Sequence, residues 1–66
     1  MKIDKRKLKV SMARAQLCRS EVADRAGLSV NTLSGALSRG SCKPATAGKI
    51  ATALGVDVTE IIETED

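Results

Sequence analysis

Apolar residues recur at helical spacing along the whole chain, and no stretch shows the alternation of apolar and polar residues that is typical of a strand. Leu8, Met12 and Ala15, for example, follow the i, i+4, i+7 pattern of a single helix face. The pattern predicts helices at residues 5–16, 19–26, 30–37 and 45–54, and a short fifth helix after residue 57. Five short helices joined by tight turns predict a compact all-α domain.

Polar residues mark the predicted starts of these helices. Asp4 and Ser29 can accept hydrogen bonds from the first free backbone N–H groups of helices 1 and 3. Asp57, with an acidic residue three positions later, resembles a capping box for the fifth helix. Residues 38–44 contain a glycine, a proline and no apolar period, so they are predicted to form a loop between helices 3 and 4.

The composition limits both the core and the chemistry of the chain. Its 66 residues fit one domain, residues 1–66, and because none of them is aromatic the core has to be aliphatic. The same absence excludes the aromatic platforms on which many proteins stack single-stranded nucleic acids. The chain has no histidine, and Cys18 and Cys42 lie too far apart for a zinc-binding pair, so no metal site, cofactor or enzymatic activity is expected.

The sequence lacks the features of a secreted or membrane protein. No apolar run approaches the roughly 20 residues that span a membrane, and the basic N-terminus is not followed by the apolar segment of a signal peptide. We therefore expect a cytoplasmic protein with no membrane partner and with both cysteines reduced. A disulfide or a redox switch is the less favoured alternative for the cysteines.

The net charge of +3 conceals a gradient along the chain. Residues 1–49 contain eleven Lys and Arg against three Asp and Glu, a balance of +8, whereas residues 50–66 contain five acidic residues and no basic one. A basic body can approach a polyanion, with the acidic C-terminal part, including a tail at residues 63–66, facing away from it. The alternative is that these charges only solvate the surface. For the cluster from Lys5 to Lys9, a solvated face with diffuse attraction to DNA is favoured over a specific clamp.

Residues 19–38 are the most informative segment for function. They predict two helices joined by a tight turn at Gly27, which is the arrangement of a helix-turn-helix. Ala23 lies where a larger side chain would push the two helices apart. The outward positions of the second helix carry small polar residues, which suit the reading of base edges in a major groove better than they suit solvation.

This segment resembles the helix-turn-helix of the Cro/lambda-repressor-like family, also called the XRE-type family. The resemblance covers about residues 4–63 and includes Ala23 and Gly27. It extends to the stretch from Lys49 to Ile62, where a Leu-Gly-Val turn leads into a short acidic helix. The resemblance implies a five-helix domain that binds double-stranded DNA as a homodimer and regulates transcription, with half-sites about one helical turn apart.

The resemblance also implies which residues contact DNA. Base edges would be contacted from the start of helix 3 and its outward face, by Ser29, Val30, Asn31 and Ser34. Asn31 is the strongest candidate, because its amide can bond to two atoms of an adenine. Phosphates would be contacted from the start of helix 2, from helix 3 and from the loop after it, by Arg19, Thr32, Arg39, Ser41 and Lys43.

Three features depart from the family pattern. The segment at residues 27–40 is about one residue longer than in many members. Val30, Ser34 and Gly35 occupy positions that often carry Gln, Arg or Glu, so base contacts can be few or can depend on DNA shape. Cys18 occupies an N-cap position where Thr or Asn is usual, so helix 2 is expected to be weakly capped. Gly35 permits two interpretations. Either it allows DNA or another helix to approach α3 closely, or it is a neutral occupant of its position.

Two classes of function remain open on these observations. The favoured one is a sequence-specific transcriptional regulator, a repressor that binds a palindromic operator as a homodimer. The alternative is a protein-interaction module, an antitoxin-like or anti-repressor partner that keeps the fold and docks through Val58, Ile61 and Ile62. An enzyme has no support, because the chain has no nucleophile–base pair and no phosphate-binding glycine loop.

Overall fold

The structure, a computed structural model, describes residues 1–63 of the chain. Four α-helices follow one another in this part: α1 (Lys5–Ala15), α2 (Arg19–Ala26), α3 (Val30–Arg39) and α4 (Pro44–Leu54). A single 3-10 turn, Val58–Glu60, comes after α4. The all-α prediction is confirmed, whereas the fifth α-helix is not found in residues 1–63. None of the helices in this part is long and apolar enough to cross a bilayer.

Side-chain caps set the helix starts where the sequence predicts them. Asp4 Oδ1 accepts a hydrogen bond from Lys7 N at 3.0 Å at the start of α1. Ser29 Oγ accepts one from Thr32 N at 3.1 Å at the start of α3. Pro44 is the first residue of α4, one position before the predicted start, because its fixed φ suits that position and its missing N–H has no helical partner there.

Helix α3 is longer than predicted. The sequence pattern placed Ser38 and Arg39 in a loop, but both belong to the last turn of the helix, which is capped by Gly40. Gly40 has a φ of 71°, a left-handed conformation that glycine adopts without strain, and its N–H bonds to Ala36 O at 2.9 Å. The helix therefore continues to a residue that can cap it, although its apolar period ends at Leu37.

The segment after α4 is a 3-10 turn because its hydrogen bonds join residues three apart. Glu60 N donates to Asp57 O at 2.9 Å, and Ile61 N donates to Val58 O at 3.1 Å. Asp57 caps this turn as predicted, but its Oδ1 accepts from N and Oγ1 of Thr59, both at 2.9 Å. Thr59, rather than Glu60, is thus the residue that donates to the cap. The chain then leaves the helical region at Ile61, which has a φ of −127°.

The core is aliphatic, as the composition requires. Its buried residues come from all four helices and from both flanking segments: Ile3, Leu8, Val22, Ala23, Leu33, Ala36, Leu37, Ala47, Ile50, Ala51, Leu54 and Ile61. Helix α2 packs mainly against α4 and α3, so α4 supports the helix-turn-helix from behind. Ala26 and Leu28 flank the turn at Gly27 and are half-buried.

The C-terminal apolar residues serve this core. Ile61, one of the three residues of the predicted docking stripe, is fully buried. Val58 and Ile62 are half-buried and pack against the core. The predicted stripe is therefore wrong as a free docking surface, because the domain uses these side chains for its own stability.

Residues 1–4 lie in an extended conformation between the loop after α3 and the C-terminal segment. Ile3 N donates to Gly40 O at 2.9 Å on one side, and Glu63 N donates to Lys2 O at 3.1 Å on the other. No strand pattern precedes α1 in the sequence, so this arrangement was not predicted. It fixes the first basic residue of the chain beside the loop that follows α3.

Candidate nucleic-acid interface

The outward face of α3 carries short polar side chains along most of its length. Leu33, Ala36 and Leu37 are buried on the opposite face. With about 100° between successive residues, Asn31 and Ser38 point directly away from these three. Both side chains are exposed. The helix therefore presents hydrogen-bonding groups on short side chains, which can approach another surface closely.

All four residues predicted to contact bases lie on α3 or at its N-cap. Val30 and Asn31 are exposed in the first turn, and 44% of the surface of Val30 is accessible although it is apolar. Ser34 is half-buried one turn further along. The hydroxyl oxygens of Ser29 and Thr32 lie 2.7 Å apart and share a hydrogen bond, so capping already engages both side chains.

Arg19, a predicted phosphate contact, is exposed as the first residue of α2, where free backbone N–H groups favour an anion. The expected weakness of the cap is offset by a hydrogen bond from Cys18 N to Glu21 Oε1 at 3.2 Å. The nearby Cys18 side chain and then the hydrogen bond from its backbone N–H lower the pKa of Glu21 below its usual value near 4.5. Glu21 is therefore ionised at neutral pH and complements the start of the helix.

A shallow groove, here named the basic groove, joins the start of α2 to the C-terminal half of α3. It is lined by Lys5, Lys9, Arg19, Ser34, Leu37 and Ser38. Lys5 Nζ also donates to Ser38 O at 3.5 Å. Arg19 and Ser34, a predicted phosphate contact and a predicted base contact, thus share one groove. Lys5 and Lys9 were not predicted as site residues, because only the packing of α1 brings them to α3.

A second depression, here named the terminal cleft, lies beside the C-terminus of α3. It is lined by Lys2, Ile3, Asp4, Lys5, Arg6, Arg39, Gly40, Ser41 and Glu63. Arg39 and Ser41, two predicted phosphate contacts, are brought together here with basic residues of the N-terminal segment. Lys43, the remaining loop candidate, is exposed at the N-cap position of α4 and lines neither the basic groove nor the terminal cleft.

The acidic residue Glu63 lies in the terminal cleft among basic residues. Its backbone N–H donates to Lys2 O, which holds it beside the N-terminal segment. The prediction that the acidic part faces away from the basic body is therefore wrong for Glu63. Glu65 and Asp66, the other acidic residues of the predicted tail, lie outside the described residues.

The side chain of Arg39 folds back along α3 and lies against Gly35. A Cβ atom on residue 35 would be 3.0 Å from Arg39 Nη1 and 3.7 Å from both Cζ and Nη2. Residues four apart share a helix face, so the guanidinium occupies the space that a side chain at position 35 would fill. The atoms nearest to such a Cβ belong to the flexible end of the Arg39 side chain, so the packing of α3 does not by itself require glycine at this position.

The two cysteines are free thiols, Cys18 exposed and Cys42 half-buried. Burial raises the pKa of the Cys42 thiol. Neither cysteine lines the basic groove or the terminal cleft. Within residues 1–63, no three Cys, Asp or Glu side chains are grouped so that they could hold a metal ion.

Comparison with known proteins gave one family and one solved fold. The family model of the Cro/C1-type helix-turn-helix DNA-binding domain matches residues 7–66. Two similar solved structures are described as PhpD with cadmium complexed with hydroethylphosphonate and as native PhpD with cadmium atoms. Each is 30% identical with a TM-score of 0.81, and each match covers 100% of this chain and 14% of the solved chain. No curated protein matched the chain.

Proposed function

Because the chain belongs to the Cro/C1-type helix-turn-helix DNA-binding family, we propose that it binds a specific duplex operator and regulates transcription there. Helix α3 is the recognition helix and lies in the major groove. The observation that carries this proposal is the outward face of α3, where short polar side chains border the basic groove. Such short side chains allow the helix to approach base edges closely enough to bond to them.

Base recognition in this proposal comes from the first two turns of α3. Asn31 bonds to N6 and N7 of an adenine, and the exposed Val30 contacts a thymine methyl group. Ser29 and Ser34 add single hydrogen bonds to base edges. The shared hydrogen bond between Ser29 and Thr32 holds the two hydroxyls in fixed positions, so their contacts require little further ordering.

Phosphate contacts set the position of α3 on the duplex. Arg19 binds one phosphate at the start of α2, together with the backbone N–H groups of that helix. Thr32, Ser41 and Lys43 contact the backbone from α3 and from the loop after it. Each phosphate neutralised by a cationic side chain contributes a slope of about −0.9 to the dependence of log affinity on log salt concentration.

The biological role we propose is that of a repressor in the cytoplasm. Two copies bind a palindromic operator as a homodimer, with half-sites about 10 base pairs apart, and occupancy of the operator blocks transcription. The role is one of binding and includes no enzymatic step.

A protein-interaction module is the second candidate, because the same fold occurs within a much longer chain. The descriptions of those solved structures name cadmium and hydroethylphosphonate and no nucleic acid, so they do not describe this fold as DNA-binding there. Against this candidate, the apolar side chains of its predicted docking stripe are largely used by the core. DNA binding is therefore the better supported function.

Selection of bound sequences from a random duplex pool tests the proposal. The expected result is a palindromic consensus, with affinity for that consensus falling steeply between about 50 and 200 mM salt. The matched control is the same pool as single strands, which should be retained far less because the chain has no aromatic residue on which bases could stack. No detectable binding to duplex DNA at low salt would contradict the proposal.

A further inference from the structure

We propose that Arg39 is a specificity-determining residue that reads a guanine in the major groove, across the space left open by Gly35. This inference rests on the proposed function, because it requires α3 to lie in the major groove. It differs from the role predicted for Arg39 from the sequence, in which the side chain contacts a phosphate. The reason for the change is the direction in which the side chain runs.

The guanidinium of Arg39 lies one turn back from its own Cα atom. Nη1, Cζ and Nη2 are 3.0, 3.7 and 3.7 Å from the Cβ position of residue 35, so the whole charged group rests on the helix surface there. Side chains on a helix lean toward its N-terminus, which favours this direction. At 1.5 Å per residue, Gly35 lies only about 7.5 Å along the axis from Val30. The guanidinium is therefore carried from the end of α3 into the part that contacts bases.

The same contact places the guanidinium in line with Asn31. Residues 31, 35 and 39 are spaced by four, so they follow one strip along the outward face of α3. Asn31 supplies an amide at one end of this strip, and Arg39 supplies a planar fork of donors in its middle. Such a fork bonds to O6 and N7 of guanine, which is the most common specific contact between proteins and DNA. The strip thus presents two groups that distinguish bases.

Gly35 makes this arrangement possible. A Cβ atom at position 35 would lie 3.0 Å from Nη1, so the guanidinium would have to shift by a few tenths of an ångström for alanine and further for longer side chains. A phosphate contact would not need this space, since an extended arginine at the end of α3 could reach the DNA backbone without crossing residue 35. The structure therefore assigns a base-reading position to Arg39.

The test compares consensus sequences selected from a random duplex pool by the wild type, Arg39→Lys and Lys43→Ala. Lysine keeps the charge but loses the fork, so we expect Arg39→Lys to lose guanine preference at one position of each half-site. The expected loss is roughly 5- to 150-fold in discrimination, which corresponds to one bidentate contact. Lys43→Ala removes a proposed phosphate contact and should weaken binding to all sequences while leaving the consensus unchanged.

Gly35→Ala provides a second variant that leaves Arg39 in place. Because the added methyl group shifts the guanidinium from its position against the helix, we expect discrimination at the same guanine position to fall, by less than with Arg39→Lys, although the charge is unchanged. An unaltered consensus with both Arg39→Lys and Gly35→Ala would overturn this inference and return Arg39 to the phosphate backbone. Failure of the wild type to select any consensus would overturn the proposed function itself, so the two failures are distinguishable.

Discussion

At the start of α2, Glu21 compensates for the poor N-cap residue Cys18. Cysteine is a poor N-cap, yet its backbone N–H donates to Glu21 Oε1 at 3.2 Å, and its thiol contributes to lowering the pKa of that carboxyl. The negative charge lies in the first turn of α2, where it also favours the helix dipole. Glu21 therefore stabilises the start of α2, while its negative charge opposes the phosphate that Arg19 is proposed to bind there.

The lowered pKa of Glu21 makes this support dependent on pH. Because the folded pKa is below the unfolded one, the stabilisation is complete above about pH 4.5 and is lost as the pH falls through the folded value. We expect Glu21→Gln to be less stable than the wild type at neutral pH and the difference to narrow in acid. Urea unfolding at several pH values measures this. Asp24→Asn removes a carboxylate from the same helix without touching the cap, and a similar narrowing there would contradict the account.

Individual capping residues were predictable from the sequence. Asp4, Ser29 and Asp57 cap where expected, because a capping side chain acts on backbone groups two or three residues away. The contact between Arg39 and Gly35 was not predictable, although the residues are only four apart. A sequence shows that two residues share a helix face, but it does not show which rotamer a long side chain adopts.

The sequence pattern was most informative about the bounds of the helices, and its clearest errors also concern those bounds. The positions of α1, α2 and α4 follow the apolar period to within one residue. The end of α3 was misplaced because exposed residues continue a helix without adding to its apolar period. The last element is a 3-10 turn because its three residues are too few for an α-helical ladder, which joins residues four apart.

Gly35 on α3 and Gly48 on α4 provide a matched pair for testing how glycine affects the stability of a helix. Both are helical, and alanine in a helix interior is more stable than glycine by roughly 0.5–1 kcal/mol. A Cβ on Gly48 meets no atom within 4 Å, whereas one on Gly35 meets the mobile end of Arg39. We expect both alanine variants to raise the free energy of unfolding, Gly35→Ala by the smaller amount, as measured by urea unfolding.

Binding to DNA should separate the two variants even though both are stabilised. Gly48→Ala is expected to keep the affinity and consensus of the wild type, because it lies on α4. Gly35→Ala is expected to lose discrimination. If Gly35→Ala instead unfolded more readily than the wild type, the added Cβ would destabilise α3, contrary to this expectation.

At the scale of the whole molecule, the packing of the N-terminal segment determines where the positive charge lies. Buried Ile3 holds residues 1–4 between the loop after α3 and the C-terminal segment. The packing of α1 then brings Lys5 and Lys9 to the basic groove beside α3. The sequence shows the excess of basic residues, but their convergence depends on contacts between residues more than 30 positions apart, which no local pattern encodes.

The same packing brings Glu63 into the terminal cleft, where its charge opposes the approach of a phosphate. The positive surface is therefore not uniform around α3. Lys5, Lys9 and Arg19 line the basic groove without an acidic residue, whereas the terminal cleft also contains Asp4 and Glu63. The basic groove is accordingly better supported as a path for the DNA backbone than the terminal cleft, and Ser41, which lines the cleft, is the less supported of the proposed phosphate contacts.

Helix α3 is proposed to read base edges in the major groove, and the contact between Asn31 and an adenine is where this reading can be measured. The measurement is the affinity of wild type and Asn31→Ala for the selected operator and for the same operator with 7-deazaadenine at each half-site adenine. The modified base lacks the N7 acceptor but still pairs normally. Exposed Thr52 on α4 provides a control variant, Thr52→Ala.

We predict that one modified position weakens the wild type and Thr52→Ala, and that the same modification has no further effect on Asn31→Ala. The loss in the wild type should not exceed the roughly 1–3 kcal/mol of a complete bidentate contact. This coupling would place the amide of Asn31 on a base edge in the major groove. Equal sensitivity of wild type and Asn31→Ala at every position would contradict the claim.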